Sequence, residues 1–348
     1  MKALTFRGRH KVNYETIPDP QIKALTDVIV KVKLCAICGS DLHVYHEHEK
    51  GMDHATAMGH EFMGEVVETG KEVKKLKVGD RVMSPFSTSC GQCFYCKKGL
   101  TSRCVFSQLF GWVENGRGLH GGQAEYVRVP IAENTLIKVP EGINDEQALL
   151  LGDIIPTGYF CASQAQIKAD EVYAVIGCGP VGLMAILGAI EQGAEKIYAI
   201  DTIEERLSMA ARFGAIPVNA SKINPVGLLR EVTENRGADA VMEAVGNSAA
   251  GKLAYQLVRP GGIISMVGVS TDESMAFSPT EAYNKNLTFK VGRCPARYLM
   301  NKLIPLVQSG KHDFTSIITH RLPLSEGVKG YDIFANKKDN CLKVTLAC

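Results

Sequence analysis

Between residues 172 and 291 the chain repeats one pattern: a short, β-branched apolar run, then a longer segment with apolar positions at helical spacing. The runs are 172–176, 197–200, 239–245, 261–267 and 287–291, and the spacing predicts helices over 183–190, 204–213, 225–236 and 248–258. Alternation of this kind builds an α/β fold, a doubly wound parallel sheet with its ligand at the carboxyl ends of the strands. The flanking sequence reads differently. Residues 28–34, 63–68, 81–83 and 123–129 are short β segments punctuated by turn residues, and 1–6 looks like an edge strand. A mainly β domain to about residue 153 follows from these. Beyond Cys294 come one helix, 298–308, and a terminal strand, 341–346, which needs a sheet to join. The first domain is its expected host. Residues 295–348 then return to the domain formed by 1–153, and 154–294 is an insert.

One stretch invites a different reading. Residues 172–190 carry no charge over 19 positions, close to the length of a membrane span. Four glycines and Pro180 crowd into it, so a buried strand, a tight turn and a core helix explain it better. At 348 residues two domains are expected. A formal net charge of +2 gives no reason to expect a nucleic-acid or anionic-membrane partner, and the interrupted lysines from Lys71 to Lys77 read as a solvated face. Eleven cysteines without a secretory signal argue for reduced thiols and metal, and for a cytoplasmic protein.

The first apolar run leads directly into Gly177-Cys178-Gly179-Pro180-Val181-Gly182. This is G-x-G-x-x-G between a strand and a helix, the context that separates a dinucleotide site from a plain glycine-rich turn. Gly177 permits the turn, Gly179 lets backbone approach a pyrophosphate, and Gly182 lets helix pack on strand. The helix N-terminus faces the phosphates with free N–H groups. Asp201 closes the second strand, nineteen residues beyond Gly182. A carboxylate there accepts hydrogen bonds from ribose hydroxyls and repels a 2′-phosphate, which favours NAD over NADP. Capping of the next helix is a second role for it. The nearest cation, Arg206, falls a turn along that helix and is expected to face elsewhere, though it is counted among the residues near the cofactor. Gly246 and Gly268 end two later strands and are expected to let the cofactor lie against bare backbone.

Cys90, Cys93, Cys96 and Cys104 form C-x2-C-x2-C-x7-C. Four thiolates this close complete a tetrahedral zinc, giving a closed structural site. An iron–sulfur cluster is the rival, and a metal-free quartet the bland alternative.

Taken in order, Cys38-Gly39-Ser40-Asp41, Gly59-His60-Glu61, the four-cysteine lobe, Asp153-Ile154-Ile155-Pro156-Thr157-Gly158 and the glycine-rich turn resemble the zinc-dependent medium-chain dehydrogenases. The likeness covers essentially the whole chain, including Gly79-Asp80-Arg81-Val82 and Pro260-Gly261-Gly262, and is greatest to microbial alcohol dehydrogenases acting on secondary alcohols. Gly111-Trp112 and Arg293-Cys294-Pro295 are similar to that group as well; the four-cysteine lobe and Asp201 depart from it. The resemblance implies a GroES-like catalytic domain beside a Rossmann domain. Cys38, His60 and Asp153 would hold a catalytic zinc, Asp153 standing where many members have Cys. Three protein ligands leave a fourth position open, and an open zinc lowers the pKa of a bound oxygen, which can turn an alcohol into an alkoxide. Glu61 would assist exchange at the metal or briefly coordinate it, Ser40 would take the alcohol's proton, and His43 would pass it on through the cofactor ribose. Thr157 would pack against the nicotinamide. Cofactor contacts would come from Gly177, Gly179, Pro180, Val181, Gly182, Asp201, Arg206, Gly246, Gly268, Val269 and Arg293.

Plainer roles stand beside these: helix capping for Ser40, a surface position for His43, a structural ion pair for Glu61. Trp112 either lines a pocket or packs the lobe. The run His46-Glu47-His48-Glu49-Lys50, with His54, reads as a solvated, mobile loop more readily than as a further metal site. Cys35, Cys161, Cys178, Cys341 and Cys348 read as incidental thiols. The resulting expectation is a homo-oligomeric enzyme, tetramer over dimer, with two zinc ions per chain, oxidising an alcohol to ketone or aldehyde with NAD. Polyol, amino-alcohol and formaldehyde dehydrogenases share the scaffold, and a zinc-ribbon nucleotide sensor is the non-catalytic rival.

Overall fold

The computed structural model describes all 348 residues. They form two compact units, Met1–Pro156 with Pro295–Cys348, and Thr157–Cys294. The division falls inside the helix Ile154–Gln164.

The first unit is built on a mainly antiparallel sheet. Its strands run in the order Ile318–Pro323, Lys343–Ala347, Val28–Ile37, Glu61–Thr69, Arg81–Met83 and Ile137–Lys138, with Tyr126–Val129 also pairing Val28–Ile37. Val28–Ile37 is apolar apart from the exposed Lys31 and Lys33 and is mostly buried, as a central strand requires, and both edges of its ladder are occupied. The terminal strand finds the expected host: Leu346 stands opposite Cys35 and Val344 opposite Ile37. Leu4, Val30, Phe62, Phe110, Tyr331, Val344 and Leu346 belong to one continuous core. A capping box between Asn144 and Gln147 starts the helix Asp145–Leu151 that leads to Asp153.

The second unit is a six-stranded, all-parallel sheet in the order Ile216–Asn219, Lys196–Asp201, Val172–Ile176, Ala238–Glu243, Val258–Met266, Thr288–Val291. The order reverses between Val172–Ile176 and Ala238–Glu243, the switch point at which such sheets bind ligands. No helix is long and apolar enough to cross a membrane.

Several boundaries differ from expectation. Strand Ile216–Asn219, four residues with a proline, was not foreseen; Lys196–Asp201 gives it a full parallel ladder. Strand Ile318–Pro323 and helix Gly327–Ala335 were also unforeseen. The helix expected to reach 236 stops at Val232, because Glu234 and Asn235 take left-handed φ values of 53° and 64°. The strand 239–245 ends at Glu243, whose carboxylate accepts the N–H groups of Val245 and Gly246 and turns the chain away.

Candidate functional site

Cys38 follows the central strand Val28–Ile37, and the chain then turns tightly, the Asp41 N–H donating to the Cys38 carbonyl at 3.1 Å. His60 precedes the next strand and is set by Gly59, whose φ of +85° and approach to Gln123 leave no room for a side chain. Asp153 sits between two helices, just after Gly152, where a Cβ would meet the Ser84 carbonyl at 2.3 Å. These positions bring one ligand atom each from Cys38, His60, Glu61 and Asp153 within 4.8 Å of one another. His60 Nε2 is 3.3 Å from Asp153 Oδ2, and Cys38 Sγ is 3.8 Å from the same oxygen.

A second ring of groups fixes the first. His60 Nδ1 is 3.2 Å from Asp41 Oδ1, which sets the tautomer so that Nε2 faces the cluster. Asp41 Oδ2 in turn accepts from the Cys38 N–H at 2.9 Å and from Gln123 Nε2 at 3.2 Å, and the Tyr331 hydroxyl donates to Gln123 Oε1 at 2.8 Å. Burial disfavours the charged ring of His60, but Asp41 and the Cys38 sulfur outweigh it and push its pKa well up. Burial, then the Glu61 charge, pushes the Cys38 thiol up. A pocket holding a thiol and three carboxylates that drives its histidine toward the cation is one whose donor chemistry calls for a positive ion.

Glu61 is fully buried, and Lys343 Nζ donates to its Oε1 at 2.7 Å, stands 2.5 Å from Oε2 and donates to the Ile37 carbonyl at 3.2 Å. The ion-pair role weighed for Glu61 is therefore present. Burial opposes the charge on Lys343, yet the carboxylate raises its pKa. Lys343 and Asp41 were not singled out from sequence. A lone cation inside the apolar terminal strand, and an acid three residues after a candidate ligand, were the signals.

Ser40 does not cap its helix: it has helical dihedrals, and its hydroxyl lies 3.3 Å from both Cys38 Sγ and His60 Nε2. His43 lies in the helix Asp41–Tyr45 with Nδ1 buried and without a partner. Burial lowers its pKa, with Glu49 opposing and His48 reinforcing. Trp112 is half-buried and packs against the core.

In the same unit the sulfurs of Cys90, Cys93, Cys96 and Cys104 also lie within 4.8 Å of one another. Four sulfurs at the usual zinc distance stand about 3.8 Å apart, so the quartet fits that ion. N–H groups of Cys93 and Phe106 donate to the sulfurs of Cys90 and Cys104. The N–H groups of Cys96 and Val105 hold the Cys93 thiol down to about 6, while burial pushes the Cys96 thiol up to about 12 and the Cys104 thiol up as well. Of the remaining thiols, Cys35 and Cys348 have their sulfurs 4.0 Å apart, a proximity the sequence did not suggest.

In the second unit the glycine-rich turn has the expected geometry. Gly177 has φ +86°, Gly179 is the N-cap of helix Pro180–Glu191 with Pro180 at its first turn, and a Cβ on Gly182 would strike the Gly177 carbonyl at 1.7 Å. Asp201 does not cap the following helix, whose N-cap is Ile203. Its Oδ2 accepts from the Cys178 N–H at 2.7 Å and its Oδ1 from Thr202 and Ile203, which locks the carboxylate beside the turn. The expectation that Arg206 faces elsewhere is corrected: its Nη1 is 3.8 Å from Asp201 Oδ2 and near Gly179, because one helical turn brings it back over the strand end. Gly246 and Gly268 approach each other so closely that a Cβ on Gly268 would lie 2.2 Å from the Gly246 nitrogen, so they serve packing in their own right. Val269 and Arg293 follow the carboxyl ends of the last two strands, and Thr157 is half-buried in the first turn of helix Ile154–Gln164.

Comparison with known proteins agrees with this architecture. An "alcohol dehydrogenase GroES-like domain" family matches residues 24–141 and a "zinc-binding dehydrogenase" family matches residues 180–309. Zinc-type alcohol dehydrogenase B of Aspergillus flavus is 42% identical, over 99% of this chain and 80% of its own length. A zinc-type alcohol dehydrogenase-like protein of Bacillus subtilis is 38% identical, over 99% of this chain and 100% of its own. The solved structure of an alcohol dehydrogenase from Thermus sp. ATN1 superposes with a TM-score of 0.93 at 40% identity, covering 100% of this chain and 99% of that one.

Proposed function

The chain belongs to the zinc-dependent medium-chain dehydrogenases and is an oxidoreductase acting on alcohols; we propose that it is NAD-linked, with two zinc ions per chain, one catalytic and one structural. The observation that carries the reading is the convergence of Cys38, His60, Glu61 and Asp153 around Ser40, inside a shell that orients them. Cys38, His60 and Asp153 would hold the catalytic zinc, which when bound supplies a Lewis acid at that point. In the overall reaction an alcohol and NAD give a carbonyl compound, NADH and a proton.

The remaining work falls to the protein's side chains. Asp41 keeps the His60 Nε2 lone pair directed inward. Lys343 holds Glu61 back as a charged neighbour, from which it is released only if the pair opens. Ser40 Oγ is placed to take the substrate's proton, beside the sulfur and the imidazole. His43, with a free buried Nδ1 and a pKa lowered by burial, is a neutral imidazole that would pass the proton on by way of the cofactor ribose to solvent. The preference for NAD rests on Asp201, whose fixed carboxylate offers ribose hydroxyls an acceptor, while Arg206 beside it is already paired.

The test is zinc content measured beside turnover. The unmodified enzyme is expected to hold two zincs and to oxidise short secondary or primary alcohols with higher kcat/KM for NAD than for NADP. Asp153→Ala leaves two ligands and is expected to retain one zinc and lose activity by several orders of magnitude; Asp153→Cys is expected to bind both. Near-normal kcat with two zincs in Asp153→Ala overturns the ligand assignment.

A further inference from the structure

One group of metal-binding side chains lies outside everything used above. His10 occupies the turn between strands Lys2–Phe6 and Val12–Thr16 with a left-handed φ of 57°. Its N–H donates to the Tyr45 carbonyl at 2.7 Å, and the neighbouring Arg9 N–H donates to Glu47 Oε1 at 3.1 Å. His46 ends the helix Asp41–Tyr45, with its own N–H donating to the Leu42 carbonyl at 2.9 Å. Two segments 36 residues apart are thereby tied once backbone to backbone and once backbone to side chain, and the tie brings His10 Nε2 to 2.8 Å from His46 Nδ1. The rings stand edge to face at 85° with centroids 4.9 Å apart, and the exposed His48 ring lies 5.6 Å from that of His46.

We propose that His10 and His46 form an accessory two-imidazole surface site for a borderline divalent cation such as Zn²⁺ or Ni²⁺, with water filling the remaining positions. Two imidazole nitrogens bound to one tetrahedral zinc stand about 3.3 Å apart, so the pair has to open by roughly half an ångström. His10 is exposed and free to make that movement. The donor type selects the ion: imidazole suits zinc, nickel and copper, while magnesium and calcium prefer oxygen. Protonation competes with the metal. Burial, then the neighbouring His10, His48 and Arg9, lowers the His46 pKa and keeps its ring a neutral donor at pH 7. The expected loop character holds for 47–50, which are exposed, but His46 is half-buried and partnered.

The experiment is calorimetric titration of the enzyme, holding its resident zinc, with ZnCl₂, NiCl₂ and MgCl₂ at pH 7.5. One further equivalent of zinc or nickel per chain is expected, and none of magnesium. His10→Asn, which tolerates the left-handed backbone, and His46→Gln should each weaken uptake at least tenfold and leave alcohol oxidation without added metal unchanged. No further uptake by the unmodified enzyme, or uptake by both variants equal to it, overturns the site. Should His46→Gln fail to fold, His10→Asn on its exposed turn decides alone.

Discussion

Lys343 and Glu61 are each no more than 1% exposed, so each has given up its hydration, at a cost of several kcal/mol per ion. Their contact and the Ile37 carbonyl offset that cost only while both are present. Lys343→Met strands a buried carboxylate and is expected to destabilise the first unit by about 3–5 kcal/mol, seen as a melting point lower by roughly 10 °C. Lys343→Arg should recover most of it, and Glu61→Gln combined with Lys343→Met should recover part; a single variant melting like the parent would show that the pair contributes nothing. At Asp201 the consequence is specificity. Asp201→Gly removes the charge that repels a 2′-phosphate and releases Arg206 to meet it, so the kcat/KM ratio of NAD to NADP should fall at least tenfold. A ratio unchanged by the substitution would place the preference elsewhere. Neither Lys343 nor the reach of Arg206 was legible from sequence. The first depends on a contact between residues 282 apart, the second on where one helical turn returns over a strand end.

At the scale of elements, the two candidate zinc sites of the proposed function are built by opposite means. The quartet is local: four cysteines within fifteen residues, wrapped around one turn of helix, Phe94–Lys97, and one of 3₁₀ helix, Thr101–Arg103. Little apolar packing supports it, since its core cluster is essentially the cysteines themselves with Ile131. With zinc bound to the quartet as proposed, folding of this lobe would be coupled to metal binding. Cys93→Ala is expected to lose one zinc and several degrees of thermal stability while the other zinc still supports turnover; two zincs with unchanged melting would remove the quartet as a metal site. Elements with local signatures were legible in the same way. The strand Val172–Ile176 and its glycines announce themselves within a dozen residues. Strands Ile216–Asn219 and Ile318–Pro323 do not, because most of what makes them strands is the hydrogen-bonding edge offered by a neighbour.

For the whole molecule, both candidate zinc sites of the proposed function fall in one unit and the glycine-rich turn in the other. Chelation should then act unevenly. Calorimetry of the enzyme after prolonged exposure to a strong zinc chelator is expected to show the transition of the first unit lowered and that of the parallel-sheet unit little changed, with NADH still binding. Equal loss in both would mean that the units do not melt separately. The division of the first unit between the two ends of the chain has a temporal counterpart. A ribosome delivers Cys38, His60, Glu61 and Asp153 early, yet the strand carrying Lys343 emerges only after the entire second unit has been made. For most of its synthesis, then, the nascent chain holds Glu61 without its counter-ion, and the central strand Val28–Ile37 with its Lys343–Ala347 edge open. The four-cysteine lobe has every one of its ligands once residue 104 is out. The two candidate zinc sites thus have different birthdays: one can close during translation, while the other waits for the strand carrying Lys343 to bring its charge into balance.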